Sequence, residues 1–154
     1  MLSLQDEYGP NGICFGCGPK NKIGLQIKSL WEEEFCVLRY RVTREEHQAF
    51  RGVVNGGIVG ALFDCHLNWT AASVIHRQQP KEEFPSTVTS EISVQFKRPT
   101  PWGVDLLIKA RPVETLADRS TVEGEMFANG KTTAISKGTF ISVKVGHPAY
   151  HRWQ

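Results

Sequence analysis

The chain has 154 residues and a mass of 17.3 kDa, with 18 basic against 16 acidic side chains and a formal charge of +2. That length fits a single domain spanning 1–154, and shares of 40% hydrophobic and 22% charged residues exclude a disordered or collagen-like chain. Near-balanced charge without a long basic run gives no electrostatic ground for binding nucleic acid.

Residues 1–24, rich in Gly, Pro and Asn, read as an irregular lead-in, with no charged-then-apolar leader to signal export. The four cysteines Cys14, Cys17, Cys36 and Cys65 are accordingly expected as reduced thiols in the cytoplasm. Cys14 and Cys17 form a C-x-x-C pair before Gly18. A structural zinc site needs four ligands and no second pair is present, so no metal is expected and the pair reads as an ordinary turn.

Two short β-type runs follow, at 25–31 and 35–42, joined by an acidic turn over 32–34. In the second, Leu38, Tyr40 and Val42 alternate with Arg39 and Arg41, the pattern of a strand buried on one face. Residues 43–54 read as a loop ending in Asn55-Gly56-Gly57. A long helix is expected over 57–76, because Ile58, Ala61, Leu62, Cys65, Trp69 and Ala72 recur at helical spacing. Val59, Phe63, Leu67 and Val74 fill much of the remaining surface, so the helix should be buried on most sides, with Asn55 as its N-cap. Asn55, Asp64, His66 and Asn68 interrupt the apolar stretch 53–75, so a membrane span is not expected.

The rest reads as strands at 88–96, 104–111, 119–127 and 132–145, followed by a tail from 146 with no period. Val88, Ser90, Ile92, Val94 and Phe96 alternate with Thr89, Glu91, Ser93 and Gln95, which places Thr89 on the polar side. Asn129-Gly130 is a type I′ hairpin signal. Two strands, one helix apolar almost all round, then four strands: the only cover available to such a helix is a curved antiparallel sheet, an α+β architecture.

Asp64 is the unusual residue, a carboxylate midway along an apolar helix. Gly57, Gly60, Asp64, Asn68 and Ala71 share one narrow stripe of small and polar side chains, which a ligand or another backbone could approach closely. The competing reading is a buried carboxylate satisfied by a neighbouring strand. At the helix start, Gly56 and Gly57 expose backbone N–H groups where the helix dipole is positive, a place to hold a developing oxyanion; equally, the glycines serve a tight turn. His47, His66 and His76 show no metal-ligand spacing, there is no G-x-S-x-G elbow, and Cys65 falls on the apolar stripe as an inert thiol.

The stretch from His47 through Asn55-Gly56-Gly57 to Asp64, the strand Val88 to Pro99, and the opening Cys14-Phe15-Gly16-Cys17-Gly18 with Asn21 and Gly24-Leu25 together resemble the hot-dog fold acyl-CoA thioesterases of the 4-hydroxybenzoyl-CoA and phenylacetate-pathway type. The resemblance spans roughly residues 14–145. It implies a hot-dog fold, with one long central helix wrapped by a curved antiparallel sheet of about five to six strands. It also implies hydrolysis of an acyl-CoA to a free acid and coenzyme A, with no cofactor, coenzyme A being part of the substrate. Asp64 matches the nucleophile or general base, Gly56 with Gly57 beside it the oxyanion donors, and Thr89 a hydroxyl that holds the water or the carboxylate. Asn55 stands where the family usually has histidine, and keeps the cap and an amide donor. Ala49 replaces a substrate-touching amide. Lys97 and Arg98 lie where basic residues meet coenzyme A phosphates, and Asn68, His47 and Gln48 are further candidates for substrate contact. Trp69, Phe63 and Phe84 could line an acyl pocket or simply pack the core.

Eight residues separate Gly56 from Asp64, about 12 Å along one helix, whereas both must reach one carbonyl. Two helices related by a two-fold axis can supply the pair, so a homodimer with its active sites at the interface is expected, or a homotetramer built from it. The rival expectation is a non-catalytic module of the same fold that binds acyl-CoA and reports its presence. A dehydratase of this fold would need a catalytic histidine at the helix entry, and Asn55 speaks against it.

Overall fold

A computed structural model describes residues 1–154. Its elements in chain order are helix α1 (Leu4–Tyr8), strands β1 (Ser29–Glu32) and β2 (Phe35–Arg41), the short strands β3 (Gln48–Phe50) and β4 (Val53–Val54), helix α2 (Gly56–Gln78), and strands β5 (Thr87–Phe96), β6 (Asp105–Thr115), β7 (Arg119–Ala128) and β8 (Lys131–Ser142).

Helix α2 begins where the sequence provides a cap: Asn55 Oδ1 accepts from the N–H of Gly57 at 2.8 Å and of Ile58 at 3.3 Å. It ends at Gln79, just before Pro80. By length and composition alone α2 could cross a bilayer. Here the chain itself covers it, with 78% of its most apolar window buried inside the fold. Six antiparallel strands in the order β1-β2-β6-β7-β8-β5 wrap one side of the helix. The alternations read from the sequence hold in β2, where Leu38 is buried and Arg39 exposed, and in β6, where Leu106, Ile108 and Ala110 face the core. Asn129 and Gly130 both sit at positive φ, 52° and 76°, as the expected turn requires.

Four expectations need correction. The first strand is Ser29–Glu32 rather than 25–31, because Gln26 adopts φ 57° and commits its amide to the carbonyls of Gly18 and Asn21. The loop over 43–54 contains a 3-10 turn, Glu45–His47, and the β3–β4 hairpin. The lead-in is not merely irregular, since it includes α1 and lays Leu4, Cys17, Leu25 and Ile27 into the core cluster. The tail joins the same cluster through Trp153, which packs 4.2 Å from the Trp69 ring and donates to Pro85 O at 2.9 Å. Lead-in and tail therefore cover α2 where the sheet does not.

The lead-in is tied to the sheet and helix by a buried polar chain. Gln5 Nε2 donates to Ser29 Oγ at 3.0 Å, Ser29 Oγ lies 2.8 Å from His66 Nδ1, and His66 Nε2 lies 3.0 Å from Cys36 O. A carbonyl only accepts, so Nε2 carries a proton; full burial keeps the ring neutral, and Ser29 therefore donates to Nδ1. Close backbone packing also holds the lead-in. A Cβ at Gly18 would lie 2.6 Å from Gly12 O and from Ile13 C and would collide with Cys14 N, all backbone atoms that cannot rotate away. Gly18→Ala should cost about 2–3 kcal/mol, measured as a lower urea midpoint for unfolding.

Candidate active site

With sheet, lead-in and tail in place, one strip of α2 stays uncovered. A Cβ at Gly60 would meet nothing within 4 Å, Gly57 is exposed, and Asp64 is only half-buried. Asp64 is therefore not sealed in the core. Thr89 Oγ1 donates to Asp64 Oδ1 at 2.6 Å, the carboxylate's one hydrogen bond, so Oδ2 is uncommitted. A half-exposed carboxylate fixed through one oxygen and open at the other can accept a proton or attack an electrophile.

Thr89 reaches Asp64 because β5 is irregular. Thr89 pairs with Phe140 and Glu91 with Thr139, which leaves Ser90 as an unpaired extra residue. The bulge breaks the alternation and puts Thr89 on the same face as the buried Phe140. Strict alternation places Thr89 on the polar side with Glu91, and Thr89 is exposed; the bulge nevertheless sets it, with the buried Thr87, on the side of the strand that faces the helix.

At the helix N-terminus, the two expected donors differ. The Gly57 N–H is taken by the Asn55 cap. Gly56, as the first helical residue, has no carbonyl four places back within the helix, and its N–H is free. No acidic side chain occupies the first turn of α2, so the positive end of the dipole is not neutralised. The Asn55 amide nitrogen makes no hydrogen bond, while the Asn55 backbone N–H is fixed by His47 O at 2.9 Å. His47 thus braces the cap through its carbonyl. Gln48 holds the loop with its side chain, donating to Glu45 O at 3.1 Å and accepting from Gly52 N at 2.8 Å.

Phe96, 56% exposed, places its ring 3.5 Å from where a Gly56 Cβ would be. Nothing in the spacing of β5 signalled this contact. It brings the exit of β5 to the start of α2, and with it Lys97 and Arg98, both exposed and bonded to Gln95 Oε1 at 3.1 Å and Thr132 O at 2.8 Å. Asn68 lies one turn beyond Asp64 but is buried at 5% exposure; its Nδ2 donates to Thr87 O at 3.4 Å and its Oδ1 has no partner. Phe63 and Trp69 are core residues, and Phe84 stacks on Tyr8 at 4.1 Å rather than beside Asp64. His47, His66 and His76 do not converge. Cys65, expected as an inert thiol on the apolar stripe, meets the C-x-x-C pair, with its sulfur 3.8 Å from that of Cys14.

Residues 51–135, more than half of the chain, match the sequence model of the thioesterase superfamily. No curated protein matches the chain. Among solved structures, a thioesterase superfamily protein from Shewanella loihica is similar at 24% identity and a TM-score of 0.64, covering 77% of this chain and 91% of its own. The E. coli PaaI protein of the phenylacetic acid degradation operon aligns at 20% identity and a TM-score of 0.62, covering 78% and 81%. A Streptococcus mutans protein solved with acetyl-CoA bound aligns at 17% identity and a TM-score of 0.60, covering 76% and 88%. At these identities the likeness is one of fold, the hot-dog fold.

Proposed function

The chain belongs to the thioesterase superfamily, and on that premise we propose that it hydrolyses an acyl-CoA to a carboxylic acid and coenzyme A, in a site completed by a second copy of the chain. The observation that carries this reading is Asp64: a carboxylate on the uncovered strip of an otherwise covered helix, held by Thr89 through Oδ1 and uncommitted at Oδ2. The acetyl-CoA bound to the Streptococcus mutans protein supports the ligand class.

In this reading Asp64 takes a proton from water as the water oxygen adds to the thioester carbonyl, or its own oxygen adds first and water cleaves the resulting anhydride. Either way the carbonyl oxygen becomes an oxyanion beside the Gly56 N–H at the positive end of a helix. Collapse breaks the carbon–sulfur bond and coenzyme A leaves as the thiolate, which takes up the proton that Asp64 accepted from water or, in the anhydride route, one from solvent. Asn55 caps the helix through its oxygen, and its free amide nitrogen can donate to the same carbonyl. Lys97 and Arg98 face the coenzyme A phosphates.

One chain holds its own Gly56 and Asp64 about 12 Å apart, too far for one carbonyl. Antiparallel packing of two α2 helices about a two-fold axis gives each Asp64 the N-terminus of the other copy. The strip at Gly57 and Gly60 leaves room for that approach. Strand β5 lies at the sheet edge with ten residues and no neighbour on its outer side; two such edges pairing would satisfy both.

The test is a panel of aromatic and aliphatic acyl-CoA thioesters with detection of released thiol, run beside sedimentation to fix the oligomer. Turnover by a dimer or tetramer is expected; binding without turnover across the panel would favour the sensing module. Thr89→Val should lower kcat about tenfold or more with little change in KM, because it removes the hydroxyl that fixes Asp64 while keeping the side-chain shape. Steady-state kinetics on any substrate the panel returns measure it.

A further inference from the structure

We propose that Cys14, Cys17 and Cys65 form a binding site for one soft, thiophilic metal ion, of the class of zinc(II) or copper(I). The three sulfurs all lie within 4.8 Å of one another, and Cys14 Sγ is 3.8 Å from Cys65 Sγ. A tetrahedral centre with zinc–sulfur bonds of about 2.3 Å has sulfur–sulfur edges of about 3.8 Å; the Cys14–Cys65 edge already has that length, and Cys17 needs to close by at most about 1 Å. The lead-in brings the pair and α2 brings the third sulfur, which is why the chain sequence alone showed only half a site.

The surroundings suit thiolates better than three chance apolar neighbours would. The turn closes with Gly18 N–H on Cys14 O at 2.9 Å, and the N–H groups of Gly16 and Cys17 favour a thiolate at Cys14. A Cβ at Gly16 would collide with Cys65 Sγ, so the glycine is what lets that sulfur settle onto the turn. The indole N–H of Trp69 is buried without a hydrogen-bond partner and lies toward Cys17, where it favours the charged form. A metal ion entering the cluster displaces the protons its thiols carry, so binding releases protons. No fourth histidine, cysteine or carboxylate joins the three. A cleft of about 200 Å³ lined by Gly12, Ile13, Cys14, Cys17, Trp69 and Trp153 runs beside them, so a fourth position on a tetrahedral ion is open to water or an external thiol. A trigonal copper(I) ion needs none. The site would fasten the lead-in to α2 at the residue after Asp64, and it stands whether or not the thioesterase reading holds.

The experiment uses the full chain, reduced, metal-free and kept from oxygen, titrated with cobalt(II) as the spectroscopic stand-in for zinc and separately with copper(I) against a chelator. One equivalent per chain is expected, with a sulfur-to-metal charge-transfer band, proton release, and a higher thermal midpoint. Cys14→Ser, at a half-exposed position where serine fits, should weaken binding at least about 100-fold and reduce the band. Cys36→Ser, which removes the cysteine outside the cluster, should leave both unchanged. Binding of cobalt identifies a tetrahedral zinc-type site, and binding of copper(I) alone a trigonal one. No binding to a chain whose four thiols titrate as free, binding indifferent to Cys14, or a cluster that only closes to a disulfide would overturn the proposal.

Discussion

Asp64→Asn should reduce kcat for acyl-CoA hydrolysis by about 10²- to 10⁴-fold. Asparagine keeps the shape of the side chain and an oxygen to accept from Thr89 Oγ1, the contact made at 2.6 Å in the native chain. What it loses is the charge, and with it both the capacity to take a proton from water and the capacity to attack as an anion. Because Asp64 is half-buried and faces no cationic partner, the substitution strands no buried charge, and the unfolding midpoint and oligomeric state should stay close to those of the native protein. KM should change little, since the groups assigned to coenzyme A remain. A single turnover in ¹⁸O-labelled water, run beside hydroxylamine trapping, separates the two chemical roles: label in the Asp64 carboxyl or a trapped Asp64 anhydride marks a nucleophile, and label only in the product acid with no trapped anhydride marks a general base. Asp64→Asn retaining activity within a few-fold of native would end the assignment.

His66 predicts a second large effect, on stability rather than rate. The ring is fully buried between Ser29 and Cys36, and burial holds its pKa down to about 4 from the ordinary 6.5, partly opposed by the hydrogen bond to Cys36 O. Between those two values the unfolded chain binds a proton that the folded chain does not. Stability therefore falls as pH drops through that window, by about 3 kcal/mol at its lower end, and His66 contributes no slope above it. Asp6, Glu32 and Asp118 have their pKa values lowered by their basic partners, Lys28, Arg39 and Arg119; the two aspartates act beneath this window, and Glu32, ordinarily at 4.5, overlaps only its foot. Urea unfolding from about pH 7 down to about pH 4.5 should show the decline. His66→Gln, whose amide can accept from Ser29 and donate to Cys36 O, should flatten it. A native protein whose midpoint is level across the window would refute the buried neutral imidazole.

Features that depend on short spacings were legible before any fold was known. A helical apolar period too full for one face defines α2, the alternations Leu38-Tyr40-Val42 and Leu106-Ile108-Ala110 define strands, and Asn129-Gly130 defines a turn. A single helix apolar almost all round then leaves a wrapped antiparallel sheet as the only cover. Asp64 stood out for the same local reason, being a carboxylate where its helical neighbours are apolar. Features that depend on residues far apart in the chain emerge with the fold. The bulge after Thr89 shows itself through its partners on β8, and it alone turns the hydroxyl toward Asp64. Whether the Gly57 N–H is free depends on which way the Asn55 side chain points. The burial that keeps His66 neutral is assembled from α1, β1 and β2, and Cys65 meets a cysteine pair some fifty residues earlier only because the lead-in folds back over the helix. Side-chain period is a property of neighbouring backbone units, whereas burial and convergence arise from the packing of the whole chain.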